Sequence, residues 1–275
     1  MLECNRNQTK KGKTMKDTPK IIYYDDLLHD EFSTAVITPK RIDGNWNYIP
    51  TGPWKKFTHV FWYDIVAKPL AKAYLYTQFR HTIVGKEKIK PYMSHGFFLF
   101  GNHTQPTADA LIPTMICSPK DVYVIVHPNN VSMPYLGRVT PSLGALPLPD
   151  DAAATKNFLH AVRTRVQAGN ALCIYPEAHI WPYYTGIRPF VDTSFNFPIK
   201  ENVPTFCFTN VYKKRHDGKG VQIVTYVDGP FFPDETLNRR DQRADLRNRV
   251  YNQMCERAKL NEVVVVDYRP RGEQP

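Results

Sequence analysis

The 275-residue sequence lacks the patterns of several protein classes. Nowhere do about 20 apolar residues follow one another without interruption, so no membrane-spanning helix is expected. The five cysteines have no short paired spacing, which argues against a disulfide framework and a zinc site. No signal-peptide pattern opens the chain. Together these absences predict buried, reduced thiols, no bound metal and a cytoplasmic location.

Several catalytic and nucleic-acid-binding signatures are missing as well. The sequence has no Gly-x-Ser-x-Gly nucleophile elbow, no glycine-rich phosphate loop, and no helix-turn-helix or RNA-recognition pattern. It does have a formal net charge of +10. That charge suits an anionic membrane surface, coenzyme A or an acidic carrier protein. Nucleic acid is not expected as a partner, because nothing except charge supports it.

The chain is predicted to have three parts. Residues 1–20 are polar, rich in lysine and without periodicity, which is typical of a disordered tail. Residues 21–80 form an N-terminal extension that contains an amphipathic helix, and residues 81–275 form one α/β domain. Within this domain, apolar runs that predict strands alternate with helical patterns. The predicted strands are 97–100, 122–126, 171–175, 204–211 and 221–227, and the predicted helices are 109–116, 151–168 and an arginine-rich C-terminal one.

The predicted helix at 54–80 has an unusual polar face. Asp64, Lys68 and Lys72 recur every four residues and form one narrow stripe, while almost every other position is apolar or aromatic. Pro69 is expected to kink the helix. Two interpretations remain open: a core helix packed between neighbours, or an interfacial helix that dips into lipid headgroups.

A histidine and a carboxylate follow the first buried strand of the domain. His103 comes directly after Phe-Phe-Leu-Phe-Gly-Asn, at the carboxyl end of a strand, where α/β sheets tend to hold ligands. Pro106 is expected near the helix start, with Thr104 or Gln105 as cap, so that Asp109 faces back toward the imidazole. Such a carboxylate fixes the imidazole tautomer and leaves the other ring nitrogen to accept a proton. A purely structural His–Asp pair is the alternative.

A second polar group follows the strand at 171–175. Glu177 and His179 come after Tyr-Pro, so they are predicted to lie over the same cleft as His103. Alternatively, Glu177 caps a turn and His179 is a solvated loop residue.

The order of these motifs over residues 80–230 resembles the glycerol-phosphate/lysophosphatidate acyltransferase family. The resemblance implies a mixed, mostly parallel sheet flanked by helices, and an acyltransferase catalytic domain at 81–275. It also implies that His103 is the general base, that Asp109 orients it, that Glu177 helps to hold the acceptor, and that Val203-Pro204 lines the site. Acyl-CoA or an acyl carrier protein would be the donor, and a lysophospholipid or glycerol phosphate the acceptor.

The sequence departs from the family pattern in two ways. Five residues instead of four separate His103 from Asp109, and the extra one has to be absorbed near Gln105-Pro106. The arginines of the family's second and third motifs are also missing. Three cations are candidates to replace them at the acceptor phosphate, namely Arg138, Arg188 and His179. Asn102 and Thr104, which flank His103, complete the predicted substrate-binding set.

The expected chemistry is direct acyl transfer without a cofactor. His103 takes the proton of an acceptor hydroxyl, the oxygen attacks the thioester carbonyl, and a thiolate leaves. The protein is expected to act at the inner face of the membrane as a peripheral protein. A non-catalytic or thioesterase-like lipid-binding relative of the same fold is the alternative function. The arginines of the last helix form either a solvated face or a docking surface for anions.

Overall fold

The computed structural model describes residues 19–32, 37–218 and 220–273. The predicted disordered tail therefore lies outside the described residues, apart from Pro19 and Lys20. The strands, in chain order, are β1 Lys20–Tyr24, β2 Thr82–Val84, β3 Phe97–Gly101, β4 Val122–Val126, β5 Ala145–Pro147, β6 Ala171–Ile174, β7 Thr205–Lys214, β8 Val221–Phe231 and β9 Val266–Pro270. The helices are α1 Pro53–His59, α2 Lys68–Phe79, α3 Ile112–Cys117, α4 Asn129–Ser132, α5 Ala152–Gln167, α6 Asn196–Glu201 and α7 Arg239–Ala258.

Across the described residues, the main sheet has the strand order β2-β8-β7-β3-β6-β4-β5. Its neighbouring strands are parallel except for the antiparallel pair β7–β8. The predicted mixed, mostly parallel sheet flanked by helices is thus confirmed. β1 and β9 form a separate parallel pair, in which Lys20 lies opposite Val266.

Alternate residues of β3 enter two hydrophobic cores, one on each face of the sheet. Phe98 and Phe100 pack in the core that includes α5 and α7, whereas Phe97 and Leu99 pack in the core that includes α2 and α3. Burial on both faces explains why β3 reads as a continuous apolar run instead of an alternating one.

Helix α5 follows the predicted pattern closely. Asp151 caps its N-terminus by accepting a hydrogen bond from Ala154 N at 2.8 Å. Gly169, at φ +81°, ends the helix in the left-handed conformation that glycine tolerates. The buried residues recur every three to four positions, as on one face of a helix: Ala154, Phe158, Ala161, Val162 and Val166. Cys117, Cys173 and Cys207 are free and buried, as predicted, and burial raises the pKa of the Cys117 thiol to about 12.

The helix predicted at 54–80 consists of α1, a π-helical segment at Val60–Ala67, and α2. The π-helical turns end just before Pro69, which has no N–H to donate to the preceding turn. One face of this helix packs against the domain through Tyr63, Ala71, Leu75 and Phe79. The opposite face exposes large apolar side chains, with Trp54 at 71%, Phe57 at 57%, Ile65 at 62% and Leu70 at 64% exposure.

Not every residue of this helix's polar stripe points to solvent. Lys68 turns toward the domain, where its Nζ binds Asp64 and the carbonyl oxygen of Pro119. The interpretation of 54–80 as a core helix packed between neighbours therefore fits one face only, because apolar residues occupy much of the solvent-facing side.

The N-terminal extension is packed onto the α/β region. Ile42 and Tyr48 are buried in the core on the α5 side, and β1 pairs with β9 near the C-terminus. The predicted domain boundary at residue 80 stays a prediction. Among the described helices, none has both the length and the apolar character to cross a membrane.

Candidate active site

The candidate site lies at the carboxyl edge of β6, β3 and β7, which are neighbours in the sheet. The loops that follow β3 and β6 meet there: Trp181 N donates to the carbonyl oxygen of His103, and Tyr183 N to that of Thr104. Gly101 allows the close approach, because a Cβ at this position would lie 2.1 Å from the ring of Phe208. The sequence therefore requires glycine just before the polar loop.

His103 and Asp109 are in direct contact, as their spacing predicted. The imidazole Nδ1 lies 2.9 Å from Asp109 Oδ2, and the ring stacks on Tyr175 with 4.5 Å between centroids. The His103 side chain is 24% exposed, whereas that of Asp109 is 2% exposed. Within the described residues the imidazole Nε2 has no hydrogen-bond partner, so it is the ring nitrogen left free.

The Asp109 carboxylate is held by donors on every side. Besides His103, its Oδ2 accepts from the backbone N–H groups of Thr104 and Gln105, each at 2.8 Å. Its Oδ1 accepts from Asn210 Nδ2 at 3.1 Å. An ionised carboxylate only accepts hydrogen bonds, so it matches this set of donors. The network fixes the carboxylate and, through it, the imidazole.

The extra residue between His103 and Asp109 is absorbed by a turn at 106–107 and a short 3₁₀ segment at Ala108–Ala110. Asp109 thus sits in a tight 3₁₀ turn, and the α-helix begins only at Ile112. The predicted start of the helix at Asp109 was wrong, because the tighter turn is what brings the carboxylate back to the imidazole.

Asn102 and Thr104 do not face a substrate position. Asn102 exchanges two hydrogen bonds with the backbone of Asn210, and both residues are buried. The Thr104 hydroxyl lies 2.7 Å from Tyr212 Oη, and Thr104 is fully buried. Both predicted substrate-binding assignments are corrected: these side chains join β3 to β7 and keep the histidine loop in place.

Glu177 is close to His103 but is enclosed. Its carboxyl group and the Arg188 guanidinium form an ion pair at 3.3 Å, and both side chains have 0% exposure. Arg188 also donates to the carbonyl oxygens of Glu177 and His179, and its guanidinium lies over the ring of Trp181. Arg188 was predicted to bind the acceptor phosphate, and this was wrong because the guanidinium is fully buried and already bound to the loop.

Burial dominates the electrostatics of Glu177. Loss of solvation raises the pKa of its carboxyl group to about 7, although the Arg188 charge, His103 and the His103 backbone N–H lower it. The contact between Arg188 and Glu177 is an ion pair without a well-directed hydrogen bond. Within the described residues, neither oxygen of the Glu177 carboxyl group accepts a well-directed hydrogen bond. A buried carboxyl group with this perturbation, close to a partly exposed imidazole, is typical of functional sites.

The two remaining predicted cations are at least partly exposed, unlike Arg188. His179 has its Nδ1 3.6 Å from Glu31 Oε2 and its side chain is 35% exposed. Arg138 is exposed in the long connection between β4 and β5. On α7, Arg243, Arg249 and Arg257 are engaged in ion pairs with aspartates, so this helix is not simply a free cationic face.

Tyr175, Asn210 and Tyr212 belong to the site and were missed from the sequence. Tyr175 supports the imidazole ring and donates from its hydroxyl to the Asp109 carbonyl oxygen. Tyr212 binds both Thr104 and Gln105. A signal for Asn210 was present: an asparagine inside the apolar run of β7 is a buried polar group that needs a partner.

The chain is similar to a known protein family in sequence and to a solved structure in fold. The model of the family described as Acyltransferase matches residues 80–208. The structure is similar to that of the 1-acyl-sn-glycerophosphate acyltransferase PlsC from Thermotoga maritima, with a TM-score of 0.55 and 15% sequence identity over 76% of this chain and 83% of that one. No curated protein sequence matches the chain significantly.

Proposed function

We propose that this chain, whose residues 80–208 match the acyltransferase family model, transfers a fatty acyl group from an acyl thioester to a hydroxyl of a glycerol-phosphate or lysophospholipid acceptor. One observation carries the proposal: His103 binds Asp109 through Nδ1, and its Nε2 has no partner among the described residues, in a side chain that is 24% exposed. The similarity to a lysophosphatidate acyltransferase fold supports the choice of a glycerolipid acceptor.

His103 is the general base in this proposal. With Nδ1–H donated to Asp109, Nε2 carries the lone pair and takes the proton of the acceptor hydroxyl as the oxygen attacks the thioester carbonyl. The tetrahedral intermediate then expels the thiolate of coenzyme A or of an acyl carrier protein. Asp109 stabilises the imidazolium that forms, and its network keeps it from rotating away.

Glu177 is proposed as a positioning residue. Its side chain is enclosed in the ion pair with Arg188, so it does not offer a surface to the acceptor. Arg188 binds the backbone of the 177–179 loop. That loop contacts His103, because the Glu177 carboxyl group interacts with the His103 backbone N–H. The pair therefore acts on catalysis through the placement of the imidazole.

A radiolabelled-product assay tests the reaction. Wild type is incubated with labelled palmitoyl-CoA and lysophosphatidate, and the label should appear in phosphatidate. His103→Ala should lose transfer, whereas His160→Ala, which removes an exposed imidazole on α5, should retain it. Label released as free palmitate at the same rate with and without acceptor would instead identify a thioesterase.

The exposed apolar face of the helix at 53–79 is proposed to bind an anionic membrane surface peripherally. Trp54, Phe57 and Ile65 project from it, and fully burying side chains of this kind is worth about 1.5–3 kcal/mol each. The triple substitution of these residues by serine should abolish flotation with anionic vesicles and leave the thermal unfolding curve unchanged. Val191→Ser/Val264→Ser, at exposed apolar positions outside this helix, is the matched control. Unchanged flotation of the triple variant would contradict the proposal.

A further inference from the structure

A second polar cleft lies beside the connection from β4 to β5. Its volume is about 390 Å³, and it is open to solvent. It is lined by Lys40, Ser132, Met133, Pro134, Tyr135 and Arg138. The position of Lys40 is fixed across the chain, because its backbone N–H donates to Ser132 Oγ at 2.8 Å. The cleft is therefore formed by the N-terminal extension on one side and this connection on the other.

Its two cations are available for a ligand. Within the described part of the chain, the side chains of Lys40 and Arg138 have neither a hydrogen bond nor an ion pair, and both are exposed. Many other cations of the chain are engaged, for example Lys88 and Arg257 on Asp228. Two free cations on one cleft are suited to phosphate groups.

The cleft also presents an aromatic ring. Tyr135 is 91% exposed, and its backbone is in the positive-φ region at +58°, where a tyrosine is strained. Such strain is found where a residue is held out for a ligand. An exposed aromatic ring next to cations offers a stacking surface for a nucleobase beside the sites for its phosphates.

The position of the cleft favours the acyl donor over the acceptor as its ligand. α4 follows β4 at the carboxyl edge, and β6 lies between β4 and β3, so two strand spacings of roughly 4.8 Å separate β4 from the His103 strand. In a glycerol phosphate the phosphate is only a few bonds from the reacting hydroxyl, and it cannot span this gap. In coenzyme A a long pantetheine arm connects the nucleotide to the thioester.

We propose that the cleft formed by Lys40, Tyr135 and Arg138 binds the 3′-phosphoadenosine diphosphate end of an acyl-CoA donor. This proposal rests on the proposed function, in which an acyl thioester is the donor. The cations bind the phosphates, Tyr135 stacks on adenine, and the arm runs past the end of β6 toward His103.

Steady-state kinetics with two donors test this assignment. Lys40→Ala/Arg138→Ala should raise the KM for palmitoyl-CoA by about tenfold or more, the loss expected for charge-assisted contacts, and leave kcat and the lysophosphatidate KM unchanged. With palmitoyl-pantetheine, which lacks the nucleotide, the variant should equal wild type. Arg163→Ala/Lys200→Ala, which removes two exposed cations on α5 and α6, is the control and should match wild type with both donors.

The experiments distinguish failure of the cleft assignment from failure of the proposed function. An unchanged palmitoyl-CoA KM, or a raised lysophosphatidate KM alone, overturns the cleft assignment while acyl transfer stands. If wild type uses neither donor, the proposed function fails, and calorimetry with coenzyme A then tests the cleft by itself. Weaker binding of coenzyme A to Lys40→Ala/Arg138→Ala than to wild type supports the assignment, and equal or absent binding overturns it.

Discussion

Asp109→Asn perturbs the candidate site at its most constrained position. The carboxylate accepts four hydrogen bonds, three of them on Oδ2 from His103, Thr104 and Gln105, and one on Oδ1 from Asn210. An asparagine keeps the three hydrogen bonds on Oδ2 if its amide oxygen takes the Oδ2 position. Its NH₂ group then faces the Asn210 Nδ2 donor, and the negative charge beside the imidazole is gone.

The expected losses follow from these contacts. The donor-to-donor contact leaves buried groups unsatisfied, which costs about 1–3 kcal/mol of folding stability. The larger effect is on catalysis, because an imidazolium that forms beside a neutral amide is no longer stabilised. We expect kcat to fall by about 10²–10⁴, which corresponds to about 3–5 kcal/mol of transition-state stabilisation.

Thiol release from palmitoyl-CoA in the presence of lysophosphatidate measures this loss, and urea unfolding measures the stability. Asp192→Asn, at an aspartate that pairs with Arg243 of α7, is the control and should retain activity. A kcat for Asp109→Asn within about twofold of wild type would refute the reasoning, since a twofold change is far below the expected loss.

Three further predictions concern the surroundings of the imidazole. The folded-state pKa of Glu177 is raised to about 7, so its contribution to folding stability is full below about pH 4.5 and is lost as pH rises through 7. Glu177→Gln should remove this loss, which is roughly 2–3 kcal/mol between pH 5 and 8 in urea unfolding. Tyr212→Phe leaves the buried Thr104 hydroxyl without its partner, so it should cost about 1–3 kcal/mol in urea and lower kcat. Gly101→Ala places a methyl group against the Phe208 ring and should lower the thermal unfolding temperature and activity together.

Each of these predictions has a contradicting result. Parallel stability–pH curves for wild type and Glu177→Gln would mean that this carboxyl group does not titrate near pH 7. Full stability of Tyr212→Phe would mean that its hydroxyl is dispensable. Gly272→Ala, at a glycine with open space around its Cβ and no positive φ, is the control for Gly101→Ala and should keep the stability of wild type. Equal stability of the two glycine variants would contradict the close contact with Phe208.

The strands buried on both faces could be predicted from sequence, because an uninterrupted apolar run is their physical requirement. β3 and β6 are of this kind, and β4 is an apolar run that is buried in its first two residues and partly buried in the rest. β1 could not be predicted: it has no fully buried residue, and its partner β9 lies near the other end of the chain. β2 and β5 were missed because three residues carry too little pattern.

The site was predictable where its contacts are local. His103 and Asp109 are six positions apart, so their spacing alone suggested the contact that the structure contains. The roles of Asn210 and Tyr212 depend on β7 lying next to β3, about 108 positions away in sequence, which no local pattern encodes. Arg188 was misjudged for the same reason, since its burial comes from a loop that folds back on it.

Chemical rescue of His103→Ala tests the central claim most directly. The variant is assayed for phosphatidate formation from palmitoyl-CoA and lysophosphatidate, with and without added imidazole. We predict no detectable transfer without imidazole and a partial return of transfer that rises with imidazole concentration. Transfer by His103→Ala at the wild-type rate without imidazole would contradict the assignment of His103 as the base.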